Sequence, residues 1–337
     1  MMATPASASS GPTSRAIRAL AAVLPGKVRI EASGSEVVTI ADCAVQLLWV
    51  GDGALRDVRE VLGSEKDQPD IVAARHLSPA AREKLTEAGV GWVDESGAAE
   101  IALPSLVVSR SGRPPEPVRL KQWTPAILAV AEALLCGTSA TVAATEAATG
   151  LSAGSCTKAL RFLTEQGWLA AKASRGRNSA RRLTDANGLL SAYADEAAQR
   201  ARQRTVGVAV GIQGRDLIKA LSACGERWLE AELAWAATGA VAAAVIAPYL
   251  TNVSTADVYL DADTDTALEA AARVAGLRPI EGGRLMLRPF PTAATSRLAK
   301  RADGLIVAPW PRVYADLLGA GVRGEEAAEH LREVVGG

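Results

Sequence analysis

With 337 residues, 49% of them hydrophobic and 22% charged, the chain has ample apolar material for ordinary water-facing cores and the length for two or three domains. No run of about 20 uninterrupted apolar residues occurs, so a membrane span is not expected; the nearest, Leu233 to Leu250, is broken by Gly239 and Pro248 and reads as a buried helix. Formal net charge is +0, two histidines (His76, His330) leave little for a His-based metal site or a Ser-His-Asp triad, and four widely spaced cysteines without a CxxC pair suit small buried thiols in a reducing cytoplasm.

The opening MMATPASASSGP is small and polar and reads as a disordered tail (1–13), not a signal peptide. SRAIRALAAVL, Ser14–Leu24, predicts a short amphipathic helix. VRIEAS, EVVTIAD and VQLLWVG predict strands, LRDVREVLGSE a helix, DIVAARHL a strand, and SPAAREKLTEAG a helix capped by Ser78 with Pro79 in its first turn. VGWVDESGAAEIALPSLVVSR closes the region as a strand or hairpin. Strands alternating with helices predict an α/β domain over 14–110. Asp70 and Asp94 are expected near one sheet edge. A metal-dependent nuclease would need an Asp and an E-x-K on adjacent strands, but the residues two beyond Glu95 and Glu100 are Gly97 and Ala102. Dimerisation, docking or ligand sensing is the expected role. SRSGRPPEP, at Ser109–Pro117, has three prolines and reads as a linker, set at 111–120.

KQWTPAILAVAEALLC predicts a helix with Thr124 as cap and Pro125 at its first position. A second helix carries Val142, Ala143, Ala144, Ala147 and Ala148 and stops at Gly150. Ser152 is the expected N-cap of a third, in which Cys156, Ala159, Leu160 and Leu163 form an inward stripe at i, i+3, i+4, i+7. Ser155, Thr157, Lys158 and Arg161 fall away from that stripe, as a recognition helix requires. WLAAKA and ARRLT then predict two strands, joined by a turn bearing Arg175, Arg177 and Asn178, with Arg181 and Arg182 on the return. Between Gly150 and Thr184 seven Lys/Arg stand against one acid, Glu165, a local excess of six in a chain of zero net charge. A basic helix-turn-helix with a basic wing, over 121–185, is the footprint of a nucleic-acid reader.

Ala186–Arg204 predicts a polar spacer or packing helix, and GRDLIKAL onward a helix, a further helix and a strand. That strand is DVYLD, where Asp257 and Tyr259 share a face and Asp261 falls at the turn. Nucleotidyl transfer would need a second acid where Tyr259 stands, so a solvated acidic turn is expected. LIVAPWPRVYADLLGAGVRGEEAAEHLREVV ends the region (186–337) as strand, helix and capped helix.

LS–GSCTKALRFLTEQGWL, followed by GR and RRLTD, resembles the winged helix-turn-helix of MarR-like and related bacterial regulators over roughly the central sixth of the chain. RHLSPAAREKLTEAGVGWVDESGAAEI looks like a domain found ahead of the winged helix in some AbiEi-type regulators, reminiscent of the restriction-endonuclease-like fold in a degenerate form. WAATGAVAA, DVYLD and APWPRVYADLLGAGVRGEEAAEHLREV resemble the C-terminal domain of AbiEi-family antitoxin-like regulators, over most of roughly the last 110 residues. The expected class is therefore α+β multidomain: α/β domain, winged helix-turn-helix, C-terminal α/β domain. The expected function is a cytoplasmic, sequence-specific transcriptional regulator of double-stranded DNA, without cofactor, metal or enzymatic turnover. Ser152, Ser155, Thr157, Lys158 and Arg161 are its expected major-groove residues, and Arg175, Arg177, Asn178, Arg181 and Arg182 hold backbone or minor groove. A homodimer is expected because one recognition helix reads too few base pairs. The resemblance also implies an alternative, an antitoxin that counters a nucleotidyltransferase-type toxin and represses its own operon. A cognate toxin or a small-molecule ligand would then be a further partner.

Overall fold

The computed structural model describes residues 12–26, 28–32, 36–64, 68–112, 123–171, 181–212, 216–249 and 253–336. Most of the expected tail lies outside them. The chain divides into two compact units, Met1–Val118 and Arg119–Gly337. Ser109–Ser111, the opening of the SRSGRPPEP stretch expected as a linker, is the end of a strand.

The first unit runs α1 (Pro12–Val23), β1 (Ile30–Ala32), β2 (Val37–Ile40), β3 (Cys43–Trp49), α2 (Leu55–Leu62), β4 (Ile71–Ala74), α3 (Pro79–Glu87), β5 (Gly91–Asp94), β6 (Ala98–Leu103) and β7 (Leu106–Ser111). Its seven strands lie in one sheet in chain order. β1–β3 form an antiparallel meander, β3–β5 are parallel through the crossovers α2 and α3, and β5–β7 are antiparallel again. The segment expected as a strand or hairpin is thus three strands, folded back at Glu95–Gly97 and Pro104–Ser105. Strand alternation sorts the core. Leu47, Ile71, Ala73 and Val93 pack with Ala16, Leu20 and Val23 of α1, whereas Val72, Ala74 and Trp92 pack with Val58, Ala81 and Leu85 on the other face. β4 is apolar at every position because it is covered on both faces.

The pairing of Asp70 with Asp94 at one sheet edge is not what the structure shows. β4 and β5 are parallel with Ala74 opposite Asp94, whereas Asp70 precedes β4 and its carbonyl accepts from Gly91 N–H at 2.9 Å. At about 3.3 Å per residue the two carboxylates sit at opposite ends of the strands, on the order of 10 Å apart. Asp70 accepts from the Gln46 amide at 2.7 Å. Asp94 is fully buried and ties strand ends together, accepting from the amides of Ser96, Leu77 and Ala98 and from Arg82 Nη2 at 2.9 Å. Burial pushes its pKa up, but the neighbouring His76 ring, the Ser96 hydroxyl, the Leu77 amide and Arg82 outweigh that and hold it well below the usual carboxylate range.

The second unit runs α4 (Pro125–Leu135), α5 (Val142–Thr149), α6 (Ala153–Glu165), β8 (Leu169–Ala171), β9 (Arg181–Leu183), α7 (Ala186–Gln203), β10 (Val208–Gly211), α8 (Leu217–Glu230), β11 (Trp235–Thr238), α9 (Gly239–Ile246), β12 (Ala256–Leu260), α10 (Asp265–Val274), β13 (Arg278–Pro279), β14 (Leu285–Pro289), α11 (Ala293–Leu298), β15 (Lys300–Ala302), β16 (Leu305–Val307), α12 (Trp310–Leu318) and α13 (Val322–Val335). β8 and β9 form a two-stranded hairpin, and the other strands a mixed sheet in the order β13-β10-β14-β12-β11-β16-β15. A single apolar core runs from Trp123 to Leu331. α4–α6 and the C-terminal segment therefore share one interior. α7 joins them as a packing helix, with Leu189, Leu190, Tyr193, Ala194 and Ala197 buried.

The stretch expected as one buried helix is a strand followed by a helix. Trp235–Thr238 is β11, central in the sheet and buried at every position. Alanine favours helix by only a fraction of a kcal/mol per residue, and burial between neighbouring strands overrides it. β11 also explains Gly225 of α8, where any Cβ would lie 2.0 Å from the Trp235 ring. No helix among the described residues is long and apolar enough to cross a membrane.

Candidate nucleic-acid interface

The three helices α4–α6 start and stop where side-chain chemistry dictates. Thr124, Thr141 and Ser152 each cap the helix they precede, accepting from the amides of Ile127 (3.3 Å), Ala144 (3.2 Å) and Ser155 (3.3 Å). Gly150 ends α5 in the left-handed region at φ 71°, its N–H bonded to the Glu146 carbonyl, so the chain turns sharply into α6. On α6, Cys156, Ala159, Leu160, Phe162 and Leu163 are buried. The opposite side carries Gly154, Thr157, Lys158 and Arg161, spaced i, i+3, i+4, i+7, with Glu165 one turn further on, all exposed. A Cβ at Gly154 would meet nothing within 4 Å, so backbone is open at the start of this face.

The expected contact residues separate into distinct roles. Ser152 and Ser155 are engaged at the helix start, where the Ser152 hydroxyl also bonds that of Ser155 at 3.1 Å. Thr157 donates to the Ala153 carbonyl at 2.8 Å and retains its acceptor lone pairs outward. Lys158 and Arg161 share the exposed face. Arg161 lies 3.8 Å from Glu165 in an i,i+4 pair open to water, a contact worth about a few tenths of a kcal/mol at most. Arg181 turns back to the scaffold, Nε donating to the Thr164 hydroxyl at 3.1 Å, and so ties β9 to the last turn of α6. Arg182 is exposed on the ladder opposite Ala170. Arg175, Arg177 and Asn178 lie outside the described residues. A groove of about 310 Å³ opens beside β9, lined by Leu134, Thr138, Ser139, Arg181, Arg182 and Leu183, with two guanidinium groups and no carboxylate.

A buried polar junction joins α4 to α7, α11 and α12 in the core. Glu132 on α4 is 1% exposed, and its Oε2 accepts from the Tyr193 hydroxyl of α7 at 2.8 Å and the Thr295 hydroxyl of α11 at 3.0 Å. Beside it, Arg312 of α12 (3% exposed) pairs with Asp316, whose Oδ2 also accepts from the hydroxyls of Thr238 (2.6 Å) and Tyr259 (2.7 Å). Burial pushes the Glu132 carboxyl up to about 7, against the opposing influence of Arg312 and the two hydroxyls. A single charged residue inside PAILAVAEALL was the available signal, since an isolated acid on an otherwise apolar helix needs a buried partner. On α11, Arg297 lies over the α5–α6 turn, within 2.7 Å of where a Gly150 Cβ would be.

Tyr259 stands where a second acid would be needed on β12, and it serves the Asp316 cluster. Asp257 pairs with Arg288 Nε at 3.1 Å, and burial raises its pKa against that charge. Among the described residues no group of three His, Cys, Asp or Glu side chains is placed to hold a metal ion. No protein-family model matches this chain, and no curated protein and no solved structure does so either.

Proposed function

We propose that the chain is a sequence-specific DNA-binding regulator whose α6 enters the major groove, with the β8–β9 wing along the backbone. The observation that supports this most directly is the exposed Gly154–Thr157–Lys158–Arg161 face, carried on a helix set by the left-handed Gly150 turn. Gly154 lets backbone approach the base edges, Thr157 offers an acceptor or a methyl, and Lys158 and Arg161 suit guanine edges or phosphate. Arg181 positions the wing, and Arg182 faces outward from it. Because one such helix reads few base pairs, the protein acts as a homodimer on paired half-sites. The first unit, whose two acids lie at opposite ends of its sheet, serves assembly or docking in this reading.

Footprinting of the full chain on the DNA upstream of its own gene, followed by a salt titration, tests the proposal. Lys158→Ala and Arg161→Ala should each weaken binding. Where the side chain meets phosphate, the slope of log K against log salt should fall by about 0.9 per protomer. Specific binding that survives both changes with its slope intact would remove α6 from the interface.

A further inference from the structure

Glu132 lies between the helix-turn-helix and the C-terminal half. It sits on the scaffold helix α4, and both hydrogen-bond donors to it come from other elements, Tyr193 on α7 and Thr295 on α11. Its second oxygen, Oε1, has no hydrogen-bond partner among the described residues. Two residues beyond Thr295, Arg297 covers Gly150, the turn that aims α6. A short chain of contacts thus runs from the carboxyl through α11 to the start of the recognition helix.

We propose that Glu132 is a proton-operated coupler, in which gain or loss of one proton on its carboxyl sets how firmly α11 braces the helix-turn-helix and so regulates the DNA contact made by α6. The inference rests on the DNA-binding reading above. In the neutral form the carboxyl brings no charge into the core and costs less than the ionised form. In the ionised form a negative charge is enclosed with one oxygen unsatisfied, and the junction loosens. Burial brings the ionisation up to about pH 7, so the change falls in the physiological range. A raised carboxyl pKa stabilises the junction fully in acid, and the stabilisation is lost as pH rises through 7.

The ionisable groups around it are Arg312 and Asp316 on α12, Tyr193 on α7 and the Cys136 thiol on α4 itself. α11 adds the Thr295 hydroxyl. The buried side chains of α5 and α6 are Thr145, Thr149, Cys156, Ala159, Leu160, Phe162 and Leu163, which bring no carboxylate or cation. Arg312 is committed to Asp316 and Tyr259, so it tempers the charge on Glu132 without a direct bond to it.

The experiment uses the full chain in two arms, at pH 6 and pH 8. In the DNA-free protein, hydrogen exchange of α4 and α11 amides, corrected for intrinsic rates, should show weaker protection at pH 8, and Glu132→Gln should abolish the difference. In the second arm, affinity for the footprinted duplex should fall by about threefold from pH 6 to pH 8, as a half-unit change in proton affinity on binding requires. Glu132→Gln should cancel that fall. Thr295→Val removes one donor to the anion and should move the wild-type transition to higher pH. Equal pH dependence in wild type and Glu132→Gln, or a Thr295→Val transition that stays in place, overturns the inference alone. A pH-dependent junction in a protein that binds no duplex overturns the DNA reading, and the regulatory inference with it.

Discussion

Replacing Arg312 by Met tests whether the polar junction holds the second unit together. The wild-type guanidinium is 3% exposed and bonds Asp316 through Nη2 and Nε, with Nε also donating to the Tyr259 hydroxyl at 2.9 Å. Its removal leaves Asp316 enclosed with two hydroxyl donors and no cation, a state that costs about 3–5 kcal/mol. Asp316→Leu alone leaves a buried guanidinium and should cost a similar amount. The double replacement removes both charges, and its cost should fall to about 1–2 kcal/mol, because a well-packed apolar pair substitutes for a buried ion pair with little loss. Urea unfolding followed by tryptophan fluorescence reports this unit, which contains Trp123, Trp168, Trp228, Trp235 and Trp310, five of the seven tryptophans. For a unit of this size the single variants should melt about 10 °C lower. If each single variant lost less than about 1 kcal/mol, or if the double variant lost the sum of the two, the pair would not be the tie inferred here.

Gly150→Ala should destabilise the second unit by about 1–2 kcal/mol, since φ 71° is costly for any residue with a Cβ and Arg297 would have to move; it should weaken duplex binding more than its stability loss explains, and a binding curve unchanged at saturating stability would contradict this. Asp94→Asn should flatten the acid limb of the first unit's stability. A depressed carboxyl pKa contributes stability that is present above the ordinary value of 3.8 and is lost progressively as pH falls from there toward the depressed folded value, so the gap between circular dichroism melts at pH 3 and pH 6 should be smaller in the variant than in wild type, and an equal gap would contradict this.

Local chemistry was legible in the sequence wherever a residue acts on its own neighbours in the chain. Ser78, Thr124 and Ser152 start helices because their hydroxyls reach an amide three residues on, and Gly150 ends one because only a residue without a Cβ takes φ 71° freely. The i, i+3, i+4, i+7 stripe of α6 likewise identifies its buried side before any partner is known. Asp70 and Asp94 show where that logic stops. Their separation depends on two strands being parallel and in a given register, which no spacing along the chain encodes. WAAT became a strand for the same reason, because an alanine-rich tetrapeptide has no preference strong enough to resist the sheet on either side. Glu132 is visible in the sequence as an acid on an apolar helix, but its partners Tyr193 and Thr295 stand 61 and 163 residues away. Short-range propensities and caps act through bonds a few residues apart. Strand register, the enclosure of a charge and the bracing of one helix by a distant turn are set by packing, and packing exists only once the chain has closed on itself.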